Sequence, residues 1–446
     1  MAPEAAATGE TADDDAVSSL KKRLFSGICI SWFAAVVAHT LNLQSEAILI
    51  RNACGGDLGR AARLTSQCNA AAGLLGLVVN QTGAKLSDSI GRKAFFALGP
   101  LAQALAAALA FTNPTNVATL ATSKVMRGIF TTFSGTVMGM AAMRDVFAGT
   151  ELAVKSSTAS AVIGLAIMVG PIIEGSMLKR MKAGNEQFAY VALAALGIVS
   201  LIANSLTIPE TLPEEKRKPF SPRAALASVN PFGFLQLYTK GSSAVQRIVT
   251  ITTLQTMIDG KNMSDLSLIW MREHVKLSVE GIRNFLTGFG FLSLLAGGKL
   301  TPTLLKSLSV WRFTTFTNLT NLFAFCLRAS YEKAAVWFGA MPFMLPGVNG
   351  SSTMALNSVL NEHLVASGFG VGESSAWLNN LRVLTGVAAT LIYGYFYAFC
   401  RKRGIWAGHT YTLAGLLGAA LPQVLLMLTV KPVDLKLDEP KSADNK

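Results

Sequence analysis

Apolar residues in this 446-residue chain gather into long runs separated by short charged intervals. The runs fall at 24–45, 63–83, 94–113, 116–142, 153–178, 187–208, 244–271, 279–299, 310–329, 334–361, 374–400 and 407–430. Each is close to the roughly 20 residues that a helix needs to cross the hydrocarbon core of a bilayer. The pattern therefore predicts an all-α integral membrane protein with twelve transmembrane helices. The longest charged interval opens with Pro209-Glu210-Thr211-Leu212-Pro213 and continues through mixed charge. Proline and charge make residues 209–243 a central cytoplasmic loop between two six-helix bundles, 24–208 and 244–430, with a short amphipathic stretch at 224–239. The leader, 1–23, is rich in Ala, Thr, Glu and Asp and ends at Lys21-Lys22-Arg23; it reads as a disordered cytosolic tail, and 431–446 reads as a cytosolic tail.

Composition agrees with that reading. The chain is 51% hydrophobic and only 15% charged, where a soluble protein carries about 25% charged residues. A net charge of +13 invites a nucleic-acid partner, but the basic residues sit between apolar runs rather than in a stripe. There they orient helices against anionic lipid. The five cysteines are scattered without metal-ligand spacing, and the four histidines are widely separated. No nucleophile–base set, metal site or cofactor motif is visible, so an enzyme is not expected.

Between the second and third runs lies Gly83-Ala84-Lys85-Leu86-Ser87-Asp88-Ser89-Ile90-Gly91-Arg92-Lys93, which reads as a charged, glycine-bracketed turn at a membrane surface. It resembles the loop between helices 2 and 3 of the major facilitator superfamily, G-x-L-(a)-D-(r)-x-G-R-(R/K), through Gly83, Asp88, Gly91, Arg92 and Lys93. The resemblance implies two six-helix bundles that rock around a midplane site, with this loop as a cytoplasmic gate. The gate's partner is then the start of helix 11, near Gly372-Glu373-Ser374-Ser375, with Arg144 as a second charge. Gly83 to Leu86 is echoed by Gly297-Gly298-Lys299-Leu300 in the second half, where the acid is missing. Repeated halves are an established transporter architecture.

Several ionisable residues fall inside apolar runs, where an unpaired charge costs several kcal/mol. Arg127, mid-run, resembles the superfamily's fourth-helix arginine motif, with Thr132 in place of its glycine. Gly164, Gly170, Pro171 and Gly175 resemble the fifth-helix pattern of drug–proton antiporters, G-x-x-x-G-P-x-x-G-G, and are expected to let that helix bend and pack closely. Glu174 stands where the pattern has a glycine; it either exchanges protons or pairs with Lys179 or Lys182 at the surface. Asp259, Lys261 and Asp265 lie either within the seventh helix or in a loop that follows it near Met257. Arg382 matches Arg127 in depth, and together they favour an anionic solute unless Arg382 is paired with a carboxylate.

The Pro-Glu-Thr-Leu-Pro run resembles the tetracycline-resistance-type branch of the family. The resemblance implies a monomeric secondary active transporter of a small organic solute, coupled to protons through Glu174, Asp259 or Asp265. Its partners are the solute, protons and the lipid of a plasma or organelle membrane, with both termini cytosolic and no nucleic acid. A non-transporting sensor or scaffold with the same fold is the alternative; it has no need of charges buried at this cost.

Overall fold

The computed structural model describes residues 7–134, 136–147, 149–181, 184–212, 214–217, 232–344, 351–369 and 371–435. Among these residues every regular element is a helix. Contacts divide the chain into two compact units, residues 1–53 with 78–229, and residues 54–77 with 230–446. The early part of the second helix thus groups with the later sequence, a departure from a linear split at 209–243.

The first unit contains α1 (Ala7–Thr40), α2 (Leu43–Ala53), the later part of α3 (Leu58–Ile90), α4 (Lys93–Thr112), α5 (Val117–Ser134), α6 (Thr136–Val146), α7 (Gly149–Arg180) and α8 (Phe188–Thr207). α1 already begins at Ala7, inside the leader whose composition predicts disorder. Alanine and glutamate there favour helix, and the helix is continuous with the apolar run that follows. α4 and α8 meet through small residues. Ala106, Ala107 and Ala110 are fully buried, and a Cβ on Gly197 would lie 2.9 Å from the carbonyl of Pro100. Without an aqueous hydrophobic drive between helices, such close backbone approach supplies the packing.

The second unit contains the early part of α3 with α9 (Ser243–Thr256), α10 (Gly260–Glu273), α11 (Val279–Leu295), α12 (Thr301–Ser307), α13 (Val310–Ser330), α14 (Ala334–Gly339), α15 (Ser351–Ala366), α16 (Val371–Arg403), α17 (His409–Gly415) and α18 (Leu421–Thr429). Three of its helices begin the same way. The hydroxyls of Ser242, Ser278 and Ser309 accept from the backbone N–H groups of Val245, Gly281 and Arg312, each satisfying a donor that a helix start leaves unpaired. Across its interior, Gln255 Nε2 donates to Asn318 Oδ1 at 2.8 Å and Asn318 Nδ2 donates to Gln423 Oε1 at 3.1 Å, linking α9, α13 and α18.

Three sequence expectations change. Gly83 to Ile90 is the end of α3, so the turn narrows to Gly91 and Arg92. The second copy, Gly297 to Leu300, is also helical, a π-turn between α11 and α12. The seventh run is neither one helix nor a helix with an exterior loop: α9 and α10 are separated by a break at Met257 to Asp259. Of the amphipathic stretch at 224–239, residues 224–231 lie outside the described residues, and Gln236–Thr239 is a single helical turn.

Among the described residues six helical segments are long and apolar enough to cross a membrane: Ser18–Ala53, Lys93–Thr112, Val162–Arg180, Phe188–Thr207, Trp377–Arg403 and His409–Thr429. The remaining runs meet that standard only in part, because charges or breaks interrupt them, as Lys124 and Arg127 do in α5.

Candidate functional site

The ionisable residues inside the apolar runs form separate clusters, built differently in each unit. In the first, α1 stops at Thr40 and α2 starts at Leu43, and the intervening break turns Asn42 and Glu46 inward. Glu46 is 4% exposed. Its carboxylate takes an ion pair from Arg127 through Oε1 and another from Lys124 through Oε2 at 2.9 Å, both donors lying on α5. Tyr190 of α8 donates its hydroxyl to the same Oε1 at 3.3 Å, and Arg127 also donates to Asn42 Oδ1 at 3.2 Å. The guanidinium of Arg127 lies 5.7 Å from the centroid of the Tyr190 ring. One carboxylate thus faces two cations in a buried site.

The break is held by α7. A Cβ at Gly170 would lie 2.8 Å from Thr40 Cβ and 3.2 Å from the Val37 carbonyl, so only glycine admits the end of α1 there. One turn on, Glu174 accepts from Gln44 N at 3.1 Å, Ser45 N at 2.8 Å and Ser45 Oγ at 2.9 Å. These backbone N–H groups belong to the start of α2, so the carboxylate caps that helix and meets its positive dipole end. This is the role of the acid that interrupts the glycine pattern. Glu174 is fully buried, and its carboxylate bonds the start of α2 rather than a surface lysine.

In the second unit, Asp259 stands at the α9–α10 break and accepts from Arg382 Nη2 at 2.7 Å and Nε at 3.2 Å. Arg382 is therefore paired, and its side chain is 46% exposed. Asp265 accepts from Asn69 Nδ2 at 2.7 Å. A narrow polar cavity lies beside that pair, lined in part by Ser66, Asn262, Thr390 and Tyr393. The Tyr393 hydroxyl there is buried with no hydrogen-bond partner among the described residues.

At the end of α3, Gly91 adopts φ +116°, a left-handed value that glycine tolerates. The reason is Glu210, whose carboxylate accepts from Arg92 N at 2.8 Å and Lys93 N at 3.2 Å. It also accepts from Thr211 N and Leu212 N, each at 3.0 Å. Burial pushes the Glu210 carboxyl up, but the N–H groups of Leu212, Arg92, Lys93 and Thr211 outweigh it and hold the group below its ordinary range. Arg92 in turn bonds Asp145 Oδ2 at 3.2 Å and Ser87 Oγ at 2.5 Å, while Thr211 donates to Asp145 at 3.0 Å. The side chains of Asp88, Arg144, Lys261 and Glu373 lie outside the described residues.

Arg127, Glu174, Asp259, Asp265, Arg382, Gly91 and Arg92 thus all carry specific contacts, but in three separate clusters. Glu46, Lys124, Tyr190, Asp145 and Glu210 escape the sequence reading as site residues. Lys124 adjoins the Arg127 motif and Glu210 belongs to the proline-rich run. The signal for Glu46 is an acid one place past the first apolar run and directly before Ala47-Ile48-Leu49-Ile50.

Comparisons with known proteins bear on these clusters. The family model described as Major Facilitator Superfamily matches residues 24–372. An uncharacterised MFS-type transporter of Bacillus subtilis, YdgK, is 32% identical over 166 residues, 37% of this chain and 40% of that protein. A bicyclomycin resistance protein homolog of Haemophilus influenzae is 30% identical over 132 residues, 30% of this chain and 32% of that protein. Each match spans less than half of the relative. Among solved structures, the human organic anion transporter MFSD10 (TETRAN) aligns with TM-score 0.64 and 17% identity, covering 91% of this chain and 99% of that one. The xylose transporter XylE from E. coli, in a partially occluded inward-open conformation, aligns with TM-score 0.67 and 10% identity, covering 93% and 98%. At those identities the likeness is one of fold.

Proposed function

The chain belongs to the major facilitator superfamily, and on that premise we propose that Glu46, Lys124 and Arg127 couple protons to the transport of a small organic solute bearing an anionic group. That the protein is an integral membrane secondary transporter follows from the family; the solute class, the coupling and the residues are the proposal. The observation that carries it is the single buried carboxylate bridged by two cations.

Protonation of Glu46 removes its charge and its two bridges to Lys124 and Arg127. The loss of that negative charge beside two buried cations is costly, and a solute carboxylate or sulfonate offsets it. Loss of the proton restores the bridges and displaces the solute. Anion and proton therefore move in the same direction. The rocking of two halves about this site follows the alternating-access scheme of repeat-built transporters. Twelve crossings, cytosolic termini, a monomeric state and the absence of enzymatic chemistry belong to the same reading, and the Glu210 clasp at Gly91 serves as its cytoplasmic gate. Asp259 with Arg382, and Asp265 in the polar cavity, provide the second half's share of the pathway.

The Haemophilus relative named for bicyclomycin resistance favours a second reading, in which solute and proton occupy the Glu46 region alternately and move in opposite directions. Flux of a panel of organic anions into proteoliposomes, with the pH gradient imposed in each sense, separates the two. Symport gives uptake driven by an inward proton gradient, and antiport gives the reverse. Glu46→Gln should abolish the response to the gradient while solute-for-solute exchange persists. Flux indifferent to the gradient in the unmodified protein would remove both readings.

A further inference from the structure

The second unit buries a charge that nothing described above uses. Arg328 lies in the last turn of α13 and is 6% exposed. It makes no ion pair or hydrogen bond through Nε or Nη2 among the described residues. Its guanidinium carbon instead sits 5.0 Å from the ring centroid of Trp337 and 5.5 Å from that of Phe285. The usual partners of a basic residue at a helix end are the terminal carbonyls. Here indoles take two carbonyls at that end: Trp406 Nε1 donates to Ala329 O at 2.7 Å and Trp337 Nε1 donates to Tyr331 O, just past the helix, at 3.2 Å.

Two further donors are left over in the aromatic network around the end of α13, where the Trp270 ring lies 5.5 Å from that of Trp406. Trp270 Nε1 and Thr410 Oγ1 are buried without a partner among the described residues. The rings of Trp270 and Trp337 lie 5.4 Å and 5.3 Å from that of Tyr411, the residue that follows Thr410. Tyr411 itself is satisfied, donating to Ser267 Oγ at 3.1 Å. The Phe285 and Trp337 rings lie 6.1 Å apart, so both meet the cation from one side and leave its N–H edge unmet. Nε–H and one Nη–H point the same way and form the fork that takes an anion with two bonds.

We propose that this cluster is a binding site for a small monovalent inorganic anion, held by the Nε/Nη2 edge of Arg328, with Trp270 Nε1 and Thr410 Oγ1 as the further donors of the surrounding aromatic network. Rings packed this closely would admit a halide or nitrate in preference to an organic solute. The proposal is independent of the Glu46 reading, since that cluster belongs to the first unit.

Thermal unfolding of purified protein in lipid nanodiscs tests it, titrating chloride or nitrate against gluconate at constant ionic strength. A saturable rise of about 2–4 °C in the unfolding midpoint is expected for chloride and nitrate. Arg328→Met should abolish that rise, and Trp270→Phe, which keeps a ring but removes the N–H, should move saturation to higher anion concentration. If Arg328→Met does not fold, Trp270→Phe still decides the matter through its titration midpoint. Equal midpoints in all three salts would overturn the site, as would a chloride response unaltered in Trp270→Phe or Arg328→Met.

Discussion

The helix that opens each half of the chain is broken mid-course, but the two breaks are finished in opposite ways. At Leu41 and Asn42 the break is closed over: Gly170 admits Thr40, Glu174 caps α2, and Glu46 is buried between Lys124 and Arg127. At Met257 to Asp259 the break is more open, and the Asp259 pair is made with an arginine whose side chain is 46% exposed. The same local device therefore gives a dry, tightly held charge in one half and a solvated one in the other. Burial, rather than the identity of the charged groups, decides how much each pair controls.

Removing the acid on each side should show the largest difference. Glu46→Leu strands two buried cations and should destabilise the protein by about 3–5 kcal/mol, whereas Asp259→Leu leaves Arg382 in contact with water and should cost under about 1 kcal/mol. Denaturant unfolding of both variants measures this, and equal losses would break the comparison. Next in size is Gly170→Ala, which drives a methyl into Thr40 and the Val37 carbonyl and should cost about 1–3 kcal/mol. Pairing it with Thr40→Gly should recover part of that loss. Glu174→Gln keeps the shape but replaces one acceptor oxygen with a donor at the start of α2, for an expected loss of about 1 kcal/mol, readable as faster hydrogen exchange at Gln44 and Ser45.

The smallest effect concerns pH. Because the Glu210 carboxyl is held below its ordinary range, the stability it lends is complete above the unfolded value of about 4.3 and is lost as pH falls through the lower folded value. Protease cutting near Gly91 should therefore increase only in acid below about pH 4, and Glu210→Gln should show the acid pattern at neutral pH. Unchanged cutting across that range would remove Glu210 as the holder of the turn.

Hydropathy made the helical, membrane-embedded nature of the chain legible, and the Gly91-Arg92-Lys93 motif pointed to the family. Arg127 and Arg382 were visible because a guanidinium stands out in an apolar run. Glu46 did not stand out as a site, since its partners lie some 80 positions later and a window average does not distinguish a paired charge from an unpaired one. The break at Leu41 and Asn42 was hidden for a related reason, and the one near Met257 stood only as one of two alternatives. Neither is marked by proline, and a broken helix keeps the same run of apolar residues as an intact one. Glu174 was noticed as a departure from a glycine pattern, but its meaning depends on the amides of Gln44 and Ser45 from another helix. Charge-bearing helices such as α5 fell short of the length-and-composition standard that six segments meet, because membrane compatibility there comes from pairing inside the protein.

Glu210 grips the hairpin through the main-chain N–H groups of Arg92 and Lys93 rather than through their side chains. Such a contact recognises the path of the chain and is blind to what the chain carries. The charges at positions 92 and 93 can therefore be exchanged without loosening this particular hold, whereas a single methyl on Gly91 abolishes it. At this contact the turn is specified by shape at Gly91, while the Arg92 side chain answers separately to Asp145 and Ser87.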